Sequence, residues 1–157
     1  LVGSEMCIRD RLADVITPNL TEAALLLGQP YETLPAGEAG LREITERLSL
    51  GGRRSVVLTG ASLAPGRTGA VCFDARTGKT EAVQTAYVAH EFHGTGDVFS
   101  SVLTGALVRG ESLSSAASPA AFVRACAERT AAEDLPMREG VDFEPLLGLL
   151  IPGKETV

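Results

Sequence analysis

His93-Gly94-Thr95-Gly96-Asp97 stands immediately before an apolar series formed by Val98, Val102, Leu103, Ala106 and Leu107. That series repeats at helical spacing, so the pentapeptide reads as a helix start. Two glycines let the backbone bend sharply and approach a ligand closely. The first amides of a helix have no internal acceptor, and together they favour negative charge. A transferring phosphoryl group spreads charge over its equatorial oxygens and needs such donors. Gly94, Thr95 and Gly96 are therefore candidate anion-hole residues. Asp97 is a candidate base that orients a hydroxyl and takes its proton. The plainer alternative is that Thr95 and Asp97 only cap the helix.

Asn19-x-x-Glu22 comes after the β-branched stretch Ala13 to Thr17. Its plain reading is a capping box, with Asn19 as cap and Glu22 reaching back to it. Its chemical reading is an amide and a carboxylate serving Mg²⁺ at nucleotide phosphates. Thr59-Gly60 closes a second apolar stretch, Ser55 to Thr59. It offers a hydroxyl and a close backbone approach to phosphate, or merely a turn. For Asn19 and Glu22 taken alone the plain reading is the stronger. Three phosphate-compatible segments on one sheet edge are more persuasive than any one of them.

Two other patterns fail. Gly78-Lys79-Thr80 resembles the end of a phosphate-binding loop, but the required first glycine falls at Phe73, and a strand comes next where a helix is needed. Gly94-x-Gly96 would begin a dinucleotide fingerprint, but its third glycine falls at Phe99. This weakens a dehydrogenase reading. His90 and His93 make a poor metal pair, and a hydrogen-bonded structural role is expected for both.

These residues need elements to hold them. A strand over 13–17 leads to a helix from Asn19, with Leu20, Ala23, Ala24 and Leu27 on one face and Gly28 closing it. Residues 29–40 hold Pro30, Pro35, Gly37 and Gly40 and read as a loop. A helix carrying Leu41, Ile44 and Leu48 stops at Gly51-Gly52. The strand 55–59 is next, then a hairpin of 69–74 and 79–88 around 75–78. The helix from Gly94 ends at Gly110. A last helix spans about 113–132, with Pro119 as a kink or restart. The tail after Pro136 shows no period. This order is that of an open α/β sheet with helices on its faces, where ligands lie beyond the carboxyl ends of the strands.

The totals agree with a single soluble domain. The chain has 157 residues, enough for one sizeable core. Its net charge of −6 argues against nucleic acid or an anionic membrane as partner. Cys7, Cys72 and Cys126 are odd in number and widely spaced, which disfavours a disulfide framework or zinc site and fits a reducing cytoplasm. Residues 1–11, LVGSEMCIRDR, share no pattern with the rest of the chain. They read as a leader foreign to the fold, ahead of a single domain over 12–157.

Ile16-Thr17-Pro18-Asn19-Leu20-Thr21-Glu22-Ala23 and Phe92-His93-Gly94-Thr95-Gly96-Asp97-Val98-Phe99 resemble the pyridoxal kinase family of the ribokinase-like superfamily. The resemblance continues through Gly105 to Leu113, Phe122-Val123-Arg124, Glu139-Gly140-Val141 and Phe143-Glu144-Pro145-Leu146. It covers nearly everything from Leu12 to about Leu150. It implies the C-terminal portion of a three-layer α/β/α fold with an open, mostly parallel sheet. It further implies ATP- and Mg²⁺-dependent phosphorylation of the 5′-hydroxymethyl group of pyridoxal, pyridoxamine or pyridoxine.

By the match, Asp97 is the base, Gly94 to Gly96 supply the anion hole, and Asn19 with Glu22 serves the Mg²⁺–phosphate network. Thr59 and Gly60 contact ATP. A homodimer is compatible with the sequence. The related hydroxymethylpyrimidine kinases share His-Gly-Thr-Gly but commonly have Cys in place of Asp97. They remain the alternative, followed by a non-catalytic nucleotide-binding relative, against which the intact Asp97, Gly94 and Gly96 argue. Family members are longer at the N-terminus, where several strands, the lid and most of the vitamer pocket lie. This chain alone is therefore expected to turn over poorly and to lack an aromatic pocket. Pro119 falls in a helix that the family runs unbroken beside adenine.

Overall fold

The computed structural model describes residues 12–88, 92–133 and 140–151. The leader 1–11, His90 and Glu139 lie outside these. Four strands form one open sheet in the order β1-β2-β3-β4. They are β1 (Val15–Ile16), β2 (Ser55–Thr59), β3 (Arg67–Asp74) and β4 (Lys79–Ala86). The helices are α1 (Leu20–Leu27), α2 (Gly37–Leu48), α3 (Thr95–Val108) and α4 (Ala117–Ala132), with 3-10 turns at Tyr31–Thr33, Leu113–Ala116 and Glu144–Leu150. Two compact units result: Leu1–Leu63 with Gly69–Ala82, and Ala64–Thr68 with Val83–Val157.

In the first unit, β1 pairs parallel with β2, and β2 pairs antiparallel with β3. The open α/β sheet is present as expected, but parallel pairing is confined to β1 and β2. A crossover through α1 and α2 separates those two strands, which permits parallel pairing, whereas the four-residue turn after Asp74 can only reverse the chain. Asp74 closes that turn by accepting from the amides of Thr77 (3.3 Å) and Gly78 (2.8 Å) through its carbonyl. Gly78-Lys79-Thr80 thus belongs to a hairpin, as its neighbours imply. The core comprises Ile16, Ala23, Leu41, Ile44, Leu48, Val56, Leu58, Val71 and Phe73. β2 is buried along four of its five residues, the signature of a strand covered on both faces.

α2 begins at Gly37, inside the segment read as loop. The reason lies at Gly40: a Cβ built there would stand 2.6 Å from the carbonyl oxygen of Pro35. Gly40 is a close-packing residue within a helix, not a breaker. Its absent side chain lets the helix lie against its own leading segment.

In the second unit, α3 buries Phe99, Leu103 and Ala106. Gly110, at φ 84°, ends the turn after it. The long helix expected over 113–132 divides into a 3-10 turn and α4, and Pro119 falls in the first turn of α4. A missing N–H costs nothing there, so Pro119 marks a restart. The tail expected to be irregular forms a 3-10 stretch over Glu144–Leu150. Its Leu146 and Leu150 pack on Phe122, Cys126 and Val141. Among the described residues, no helix is long and apolar enough to cross a membrane.

This packing has two measurable outcomes. Ala exceeds Gly in helix propensity by about 1 kcal/mol, yet Gly40→Ala is expected to lower stability by about 1–3 kcal/mol because overlap with Pro35 outweighs it. A shift of the urea midpoint to lower concentration checks the sign. Burial, then the charge of Glu81, pushes the Cys72 thiol up to about 12. Burial, then the charge of Asp142, pushes Cys126 up to about 11. The thiolate is the reactive form, so mass mapping should find both unlabelled by a disulfide reagent at pH 8 until the chain is unfolded. As pH rises past the ordinary thiol value of 9.0, the unfolded chain releases protons that the folded chain keeps, so these thiols diminish stability there.

Candidate functional site

Asn19, Glu22, Thr59 and Gly60 come together at the carboxyl ends of β1 and β2 in the first unit. The parallel register carries Asn19 beside Thr59 as a bridge. The amide of Thr59 donates to the Pro18 carbonyl at 2.8 Å, and its hydroxyl donates to the same oxygen at 3.3 Å. Gly60 is exposed at φ 68°, a left-handed conformation that favours glycine even though no atom crowds it.

Asn19 caps α1 through the full capping box. Its Oδ1 accepts from the Glu22 amide at 2.9 Å, and Glu22 Oε2 accepts from the Asn19 amide at 2.9 Å. The plain reading of this pair is therefore realised. Glu22 Oε1 accepts no hydrogen bond from the described residues, and both side chains are exposed. Among the described residues, no three His, Cys, Asp or Glu side chains cluster as a cation cage. This donor set fits a hydrated Mg²⁺ that arrives with phosphates, since that ion keeps several waters and takes only one or two carboxylates. It does not fit a dedicated all-protein site.

The second unit holds the other set. Gly94, at φ 82° and ψ −4°, is the N-cap of α3, and no side chain caps the helix. Asp97 and Thr95 therefore do not perform the capping that their types allow. The hydroxyl of Thr95 instead donates to the Phe92 carbonyl at 3.4 Å. The first intrahelical bond runs from Val98 N–H to the Gly94 carbonyl at 3.0 Å. The amides of Thr95, Gly96 and Asp97 have no acceptor among the described residues, and the Asp97 carboxylate has no donor. Gly94, Gly96 and Asp97 are exposed and Thr95 is half-buried. Three amides and one carboxylate thus share a single exposed turn. His93 is exposed too, and its expected hydrogen-bonded role falls to its backbone, whose carbonyl accepts from Val141 N–H at 3.2 Å.

Asp97 also borders a cleft of about 350 Å³ that sequence reasoning missed. Val98, Val102 and Phe122 line it, with Phe143, Leu147 and Leu150 from the 3-10 stretch. Phe122 and Phe143 are its two aromatic lining residues. The available signal was the spacing of Phe143, Leu147 and Leu150.

Comparisons with known proteins bear on the family and the fold. A family model described as phosphomethylpyrimidine kinase matches residues 6–139. No curated protein matches. A candidate phosphomethylpyrimidine kinase of Bacteroides thetaiotaomicron, crystallised with pyridoxal, is 33% identical with a TM-score of 0.84, over 94% of this chain and 52% of that one. The pyridoxal kinase of Lactobacillus plantarum is 31% identical with a TM-score of 0.73, over 88% of this chain and 49% of that one. The pyridoxal kinase of Staphylococcus aureus, solved with AMP-PCP, shares the fold at 24% identity and a TM-score of 0.59, over 73% of this chain and 41% of that one. The chain spans about half the length of the solved structures it matches. With most of its length inside the family match and its α/β fold shared with these kinases, the chain belongs to the phosphomethylpyrimidine kinase family, of ribokinase-like fold.

Proposed function

We propose that the chain carries the phosphate, metal and base side of an ATP-dependent kinase that phosphorylates the 5′-hydroxymethyl group of pyridoxal, pyridoxamine or pyridoxine. The start of α3 carries this reading: a glycine-capped turn whose three amides and one carboxylate have no partner among the described residues. Helix starts normally recruit a side chain to these amides, so a turn that leaves them free suits an anionic ligand.

In the reaction, the acceptor oxygen bonds to the γ-phosphorus as the bond to the bridging β–γ oxygen breaks, and ADP departs. The acceptor proton passes to Asp97. The amides of Thr95, Gly96 and Asp97 take up the negative charge on the transferred group as it develops. Thr59 and Gly60 contact the nucleotide, and Glu22 with Asn19 would hold Mg²⁺ through water. Mg²⁺ bound with ATP would neutralise charge on the β and γ oxygens. Residence in the cytoplasm and pairing as a homodimer go with this reading.

A second reading, phosphorylation of a hydroxymethylpyrimidine in thiamine synthesis, draws support from the family's description as phosphomethylpyrimidine kinase. Asp97, where those enzymes commonly have Cys, and the pyridoxal-bound Bacteroides relative favour the B6 vitamers. Competing assays of pyridoxal and hydroxymethylpyrimidine with Mg·ATP on the full-length protein separate the two. Product from the pyrimidine alone would overturn the first.

The role of Asp97 has its own test. Asp97→Asn is nearly isosteric but cannot accept a proton. Turnover of the full-length protein should fall by roughly 10²–10⁴, with nucleotide affinity little changed. Turnover that survives the substitution would remove Asp97 from the chemistry.

A further inference from the structure

We infer that Arg129, Thr130 and Asp142 form a clasp that positions the turn at Gly94, although none of them belongs to that turn. The inference rests on reading Gly94–Asp97 as the phosphate site.

Asp142 is held at two points by α4. Its Oδ2 accepts from Arg129 Nε at 2.9 Å, and its backbone N–H donates to Thr130 Oγ1 at 2.9 Å. The Thr130 hydroxyl is itself fixed, donating to the Cys126 carbonyl at 2.7 Å from a residue only 1% exposed. One buried hydroxyl therefore acts as both donor and acceptor and leaves Asp142 little freedom. The two residues before Asp142 then meet the turn. Val141, which is buried, donates its N–H to the His93 carbonyl at 3.2 Å. Gly140 lies so close to that oxygen that a Cβ on it would stand 3.2 Å away.

The His93 carbonyl and the Gly94 N–H belong to one planar peptide. Gripping the oxygen fixes the rotation of that whole plane, and with it the direction in which the chain enters α3. Glycine at 94 and 96 gives the turn its shape but none of its rigidity. The clasp supplies that rigidity from outside. Donors already aimed at developing charge need no reorganisation during reaction, so Arg129, Thr130 and Asp142 are positioning residues.

The test uses the full chain and tracks its amide resonances. Arg129 sits at the surface, so Arg129→Gln is not expected to unfold the protein, and Asp142→Asn is a second variant. Without ligand, each should speed hydrogen exchange at the Val141 amide by roughly three- to tenfold and displace the resonances of Gly94, Thr95 and Gly96. Arg129→Lys, which retains a charged donor, should restore both. Faster exchange at Val141 with unmoved resonances at Gly94–Gly96 would overturn the clasp, as would no change in either variant. Titration with Mg·AMP-PCP tests the underlying reading separately. If saturating nucleotide leaves the wild-type amides of Thr95–Asp97 unmoved, the phosphate site falls, while the ligand-free comparison still decides the clasp. If wild type and Arg129→Gln bind the nucleotide with equal affinity, the positioning role is overturned.

Discussion

A helix cannot satisfy its own first amides, and this chain meets that constraint in opposite ways at its two polar turns. At α1, Asn19 and Glu22 satisfy each other's backbones, and the helix start is closed. At α3, Gly94 provides the geometry of a cap without a side-chain acceptor, and among the described residues the start remains open. The closed start anchors α1 beside the paired ends of β1 and β2. The open one leaves its electrostatic demand for an anion to meet. The same local rule thus yields a structural joint in one unit and a candidate anion site in the other. The difference lies in the side chains at the cap and the third helical position, Asn19 and Glu22 in one and Gly94 and Asp97 in the other.

Much of the local architecture was legible because its signals are short-range. The Asn19–Glu22 spacing, the β-branched run of β2 and the turn before Gly78 each act within a few residues, and each formed as read. Proline and glycine were less transparent. Gly40 reads as a breaker by type but serves as a contact surface for Pro35, a role visible only once the segment folds back. Pro119 permitted either a kink or a restart, and its position in the first turn of α4 decides for the restart.

The candidate site was legible in its residues and illegible in its support. The types and order of His93 to Asp97 point to phosphate, since both the glycines and the carboxylate lie in one turn. The cleft wall is different. Phe122 and Leu150 meet across a long separation, and the short series Phe143, Leu147, Leu150 does not by itself say which helix it packs against. The contact between Val141 and His93 likewise joins residues far apart in sequence, and no spacing rule carries it.

The 3-10 stretch has a thermal consequence. At seven residues it exceeds the usual run of this conformation, whose hydrogen bonds are poorly aligned. It is held chiefly by Leu146 and Leu150 against Phe122, Cys126 and Val141, while Phe143, Leu147 and Leu149 remain partly open to solvent. Poorly aligned bonds and a narrow buried face make it easier to detach than α3 or α4. The cleft beside Asp97 is therefore bounded by one firm wall, the helix α3, and one that breathes. Warming would widen it from the 3-10 side well before α3 or α4 unwinds.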